Sequence, residues 1–185
     1  MILKPHQSRR RQRGQAAIEY AIYIAIAAIV LAGIIYFINQ ARHRAQMNTE
    51  ISNVTSIVQS TQKLYRGSPN GYSGVDATVL INNGVIPDTM VSGGNSILSA
   101  FGTPVTVSPT SVYGTNDGIQ FNYQVSPSQC SDFIQGVAPL FAKITVGSAV
   151  KDVTTGTMLD PAQLGSQCQA SSSNKVLNVT FVATR

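Results

Sequence analysis

Histidine, cysteine, proline and charge are scarce in this sequence, and each shortage removes a class of explanation. The only histidines are His6 and His43, so none remains further along the chain for a serine or cysteine triad or for a zinc set. Two cysteines, Cys130 and Cys168, stand too far apart for any metal motif. Asp152 and Asp160 flank a Thr-Thr-Gly turn, but two carboxylates eight apart fall short of the ligand density calcium wants, and a solvated loop is the better reading. Val91-Ser92-Gly93-Gly94 lacks the lysine of a phosphate-binding loop. No catalytic residue, metal or cofactor is expected. Proline is missing from residue 6 to residue 68, which leaves that stretch free to form one uninterrupted helix.

What is present is concentrated at the amino end. Lys4, Arg9, Arg10, Arg11 and Arg13 precede Gly14, and an uncharged, mostly apolar run from Tyr20 to Ala41 follows. Tyr20 to Ile38 would rise roughly 28 Å as a helix, close to the thickness of a hydrocarbon core. Only Arg42 and Arg44 follow the run closely, so the charge asymmetry keeps the amino end cytoplasmic and sends the bulk of the chain across. Tyr20, Tyr23, Tyr36 and Phe37 sit at the levels of the interfacial aromatic belts.

A secretory signal would be cut after its apolar core, yet Ala32-Gly33 is followed by five more apolar residues, so that reading fits poorly. A cut before the core, after Gly14, leaves Gln15 as the first residue and Glu19 as the fifth. Arg-x-Arg-Gly14 followed by a glutamate five residues into an apolar helix resembles the prepilin peptidase signal of type IV pilins. The short leader, a first residue that is not phenylalanine, the chain length and the late cysteine pair resemble the type IVb branch, including the major pilins of thin conjugative pili. The resemblance implies an α+β fold: a long N-terminal helix, transmembrane in its first half, packed on an antiparallel sheet. It also implies methylation of Gln15 by the peptidase, an assembly platform with a cytoplasmic ATPase, and a homopolymer that leaves the inner membrane as a surface pilus serving adhesion, aggregation or mating-pair contact. A minor pilin, a type II secretion pseudopilin and a monomeric membrane-anchored binding protein are the alternatives.

Removal of residues 1–14 changes the electrostatics. The formal charge is +5; 13 basic residues less the five of the leader leave 8, against 8 acidic ones. The remainder is formally neutral, and no direct nucleic-acid binding is expected. Such a subunit can stack beside its copies with little net repulsion.

Within residues 15–41, Ala17, Ala21, Ala25, Ala28 and Ala32 recur at spacings of three and four, a stripe that lets helices approach closely. Ile18, Ile22, Ile26 and Ile29 form a ridge beside it. The other reading is that these residues merely satisfy insertion. Glu19 is costly in a membrane helix, about 2.5–3.5 kcal/mol if fully buried and less at the interface, so it wants a cation. By resemblance that cation is the amino terminus of Gln15 on a neighbouring subunit; a glutamate simply facing water is the alternative.

Past residue 41 the pattern turns amphipathic: Met47, Ile51, Val54, Ile57, Val58, Thr61, Leu64 and Tyr65 recur at helical spacing, with Glu50 among the intervening polar positions. One helix from about Ala16 to Tyr65 is expected, or alternatively two with a break near Asn39-Gln40. A loop rich in glycine opens the head, residues 67–185. Asp76–Gly84 reads as a capped helix, Thr103–Val107 and Ile119–Val125 as strands, Pro127–Ala142 as a helix that Pro139 shortens. A strand at Lys143–Val146, a helix at Pro161–Gln167 and a strand at Val176–Val182 complete the layout. Cys130 and Cys168, both on the translocated side, most simply form one disulfide, with free buried thiols as the alternative.

Overall fold

The computed structural model describes residues 10–170 and 176–185, with side chains over 17–169 and 176–185. Two compact units divide it, residues up to His43 and Arg44–Arg185. Lys4 and Arg9 of the leader lie outside the described residues.

The proline-free stretch forms one α-helix, α1 (Arg10–Tyr65), with no break at Asn39-Gln40. A glycine-rich loop ends it, and α2 (Ala77–Asn82) follows, its start fixed by Asp76 Oδ1 accepting the Val79 N–H at 2.7 Å. Gly84, at φ +66°, turns the chain out of α2 in the left-handed conformation that glycine tolerates.

Seven antiparallel strands form the sheet: β1 (Val91–Ser92), β2 (Ser96–Leu98), β3 (Pro104–Thr110), β4 (Gly118–Val125), β5 (Lys143–Val146), β6 (Ala149–Asp152) and β7 (Leu177–Thr184). Their spatial order is β1-β2-β3-β4-β7-β5-β6. The last strand therefore sits in the interior of the sheet, paired with β4 along eight residues from Gly118↔Thr184 to Val125↔Leu177 and with β5 on its other side. Between β4 and β5 run α3 (Pro127–Val137) and a 3-10 turn (Ala138–Leu140); α4 (Pro161–Ala170) precedes β7.

Alternation sets the faces. Ile119, Phe121, Tyr123 and Val125 are buried on one side of β4, while Gln120, Asn122 and Gln124 face the other. The buried side meets α1 and α3 in a core where Phe133, Tyr123 and Phe181 stack edgewise or tilted at centroid separations of 5.6–5.7 Å. The strands of the expectation are present, β3 running on to Thr110. The β1–β2 hairpin and β6 were not expected, because two- to four-residue strands carry too little alternation to stand out. Pro139 acts as anticipated: α3 stops at Val137 and the chain tightens into the 3-10 turn. Lys151 Nζ donates to the carbonyls of Ala138 and Phe141 there, at 2.5 and 2.8 Å, and burial lowers its pKa.

Candidate functional site

Helical geometry decides what the first half of α1 can touch. At about 100° per residue the five alanines fall within an arc of about 80°, the isoleucine ridge lies beside it, and Glu19 comes about 160° from the centre of the stripe. Ala17, Ala21, Ala25, Ala28, Ala32 and Glu19 are all exposed. Ile18 at 64% and Ile29 at 73% are among the largest apolar exposures in the molecule. None of the apolar window is buried. A Cβ at Gly33 would meet nothing within 4 Å, so that glycine answers no packing need inside the chain. Gly14 and Gln15 lie in the helical backbone, and their side chains are outside the described set.

The second half of α1 is held by the head. Val54, Ile57, Val58 and Thr61 are buried, Met47, Ile51 and Tyr65 are partly covered, and Leu64 is exposed, at the edge of the apolar face. A Cβ added at Gly136 of α3 would come within 2.5 Å of Ile51 Cδ1, so a larger residue there would require the Ile51 side chain to move aside. Gln62 Nε2 donates to the Thr184 carbonyl at 2.7 Å, tying the helix to the last strand.

Glu50 departs most from expectation. It stands among the polar positions between the apolar ones of the helical pattern, and the fold buries it completely. Four residues before Val54 and seven before Ile57, it shares their face, and its helical spacing was the signal that could have revealed it. Its Oε2 accepts the Ala100 N–H at 2.5 Å, and Oε1 has no hydrogen-bond partner. Burial pushes its carboxyl above the usual range, opposed by the Ala100 N–H and the Tyr123 hydroxyl beside it; burial and the Glu50 charge raise the Tyr123 phenol as well.

The sign of the resulting pH dependence follows. A carboxyl whose pKa is raised on folding contributes fully below its unfolded pKa, near 4.3, and its contribution is lost as pH rises through the folded value. Glu50→Gln keeps an acceptor for Ala100 and removes ionisation. The thermal midpoint of the variant should match that of the parent at pH 4 and exceed it increasingly toward pH 8. A difference that stays constant with pH would show that Glu50 does not titrate in this range.

Cys130 on α3 and Cys168 on α4 form a disulfide with Cα atoms 5.7 Å apart, both residues buried. The two aspartates weighed for calcium act separately. Asp152 accepts from Thr154 and pairs with Lys143 at 3.1 Å, and the Thr154 hydroxyl and Lys143 hold its carboxyl low. Asp160 Oδ1 accepts the Ala162 N–H in the first turn of α4. No cluster of three or more metal-type ligands occurs among the described residues.

A long N-terminal helix, bare in its apolar half and packed in its second half against an antiparallel sheet with a disulfide near the carboxyl end, is the pilin architecture. The fold matches the crystal structure of a type IV b pilin from Salmonella typhi with a TM-score of 0.58 at 17% identity, over 75% of this chain and 99% of that one. It also matches the crystal structure of TcpA, a type IV pilin from Vibrio cholerae El Tor, with a TM-score of 0.51 at 16% identity, over 76% and 99%. Residues 44–181 match the family described as PilS N terminal, and the chain belongs to the PilS family. Over 120 residues it is 31% identical to proteins of Escherichia coli O127:H6 and O111:H- named as the major structural subunit of bundle-forming pilus. That stretch covers 64% of this chain and 59% of the length of those relatives.

Proposed function

We propose that this chain is the structural subunit of a type IVb pilus, inserted in the inner membrane, cut after Gly14 by a prepilin peptidase and polymerised through the first half of α1. The observation that carries this reading is the contrast along one helix: residues 17–38 are exposed and, Glu19 apart, mostly apolar, whereas Val54, Ile57 and Val58 are buried by the head. A bare apolar helix needs either lipid or other copies, and a filament subunit uses each in turn.

Helix geometry supports an open polymer. The alanine stripe and Glu19 lie on nearly opposite sides of α1, so one subunit offers them to different neighbours. Contacts made by two different faces are heterologous, and heterologous contacts that do not close into a ring propagate as a filament. In this reading Glu19 meets the amino group of Gln15 on an adjacent copy. Energy for extraction comes from an ATPase acting through an assembly platform, and the pilus is displayed at the cell surface.

The amino-terminal mass of the protein in sheared surface material tests this. A chain starting at methylated Gln15, in long filaments visible by electron microscopy, is the expected result. An intact leader on a protein that stays monomeric in detergent overturns it.

A further inference from the structure

The sheet face turned away from α1 carries a groove of about 380 Å³ that the assembly reading leaves unused. Its floor is strand surface. Gln120, Val182, Lys143 and Asp152 lie side by side in one row of register across β4, β7, β5 and β6, with Thr180 and Thr145 in the next row.

Two turns raise its walls, and both are braced by a carboxylate. After β3, Asp117 accepts the N–H groups of Val112, Tyr113 and Gly114 at 2.7–2.9 Å, and Ser111 Oγ accepts the Asn116 N–H at 3.1 Å. After β6, Asp152 Oδ1 accepts the backbone N–H and the hydroxyl of Thr154 at 2.9 and 2.6 Å, and Asp152 bridges to Thr157. The cavity thus exists before any ligand arrives, so little ordering would oppose binding.

The chemistry of the lining narrows the ligand. Its two charged side chains, Lys143 and Asp152, are paired with each other at 3.1 Å, so neither is left over for an ionic ligand. The other polar groups are the hydroxyls of Thr110, Ser111, Thr145, Thr154 and Thr180 and the Gln120 amide; Thr154 donates to Asp152, and Thr180 and Gln120 Nε2 donate to Asn122 Oδ1, which leaves the Thr180 and Gln120 oxygens to accept and the hydroxyls of Thr110, Ser111 and Thr145 to donate or accept. Val112 and Val182 add apolar patches. Neutral groups that donate and accept, interleaved with small apolar surfaces, complement a sugar's alternating hydroxyls and C–H faces. A peptide adding to the sheet would need a strand edge, and this is a sheet face.

We propose that this groove binds a neutral oligosaccharide, with room for about two sugar rings in a volume typical of small-molecule sites. The groove is complete within one subunit, so the inference does not depend on polymerisation.

Saturation-transfer NMR and calorimetry on the full chain in detergent provide the test, with lactose, maltose, cellobiose and chitobiose as probes and sialyllactose and glucose 1-phosphate as charged counterparts. At least one neutral disaccharide should bind with a dissociation constant of about 0.1–10 mM, weakened about tenfold or more by Gln120→Ala and by Thr180→Arg at unchanged thermal midpoint. Gln120→Ala removes a half-buried side chain and keeps the test valid if the arginine variant misfolds. Failure of every neutral probe at about 20 mM, equal binding of the charged sugars, or binding insensitive to Gln120→Ala would overturn the proposal. So would hydrogen-exchange protection of the groove that appears only in assembled filaments, since the occupant would then be a second copy of this chain.

Discussion

Glu19→Val should yield a protein that is inserted and processed but stranded in the membrane, with surface filaments reduced at least tenfold and no loss of total subunit. The substitution removes the only carboxylate from an apolar segment in which no side chain of this chain covers it. Insertion becomes easier by about 2.5–3.5 kcal/mol at most, so the membrane level cannot fall for that reason. What the proposed assembly would lose is an ion pair in a low-dielectric seam, where a charge-assisted contact between subunits would fix register. Glu19→Gln keeps the shape and discards the charge, and should fail nearly as badly. Immunoblots of sheared and membrane fractions measure both quantities. Normal filament yield from the valine variant would falsify the pairing of Glu19 with a neighbour's amino group.

The second large effect concerns the staple. Cys130→Ala with Cys168→Ala opens a closure spanning 38 residues in sequence, worth about 4 kcal/mol in the chain-entropy account. For a head of this size the thermal midpoint should fall by roughly 8–16 °C. The segment released contains β5, β6 and α4 and leads into β7, the strand that completes the interior of the sheet. Loss should therefore reach β4 and β5 and not stop at the cysteines. Thermal denaturation followed by circular dichroism, with and without reductant, measures it; a fall of under about 3 °C would mean that packing of Phe133, Ile134 and Leu164 holds α3 to α4 unaided.

Different parts of the molecule were legible for different reasons. The long helix follows from missing prolines and from spacing alone, since α1 runs through Asn39-Gln40 without interruption. Asp76 and Gly84 mark the ends of α2 as local chemistry requires, because a cap and a left-handed turn are settled within a few residues. The hairpin of β1 and β2 escaped because its residues form strands only by pairing, Ile97 with Val105 and Val91 with Ile97. Glu50 escaped because residue type suggested water while position dictated the core, where an Ala100 N–H brought from 50 residues away and the Tyr123 hydroxyl offset its burial.

Periodicity, charge order and cysteine count were enough for the long helix with its apolar first half, the α+β class and the resemblance to type IVb pilins, because each of these depends on near neighbours in the chain. The place of β7 between β4 and β5, the pairing of Lys143 with Asp152 and the groove above them needed the folded structure. They are products of contacts between residues far apart in sequence, whose closure entropy is offset only when the whole sheet forms, and no local pattern records which distant partner wins.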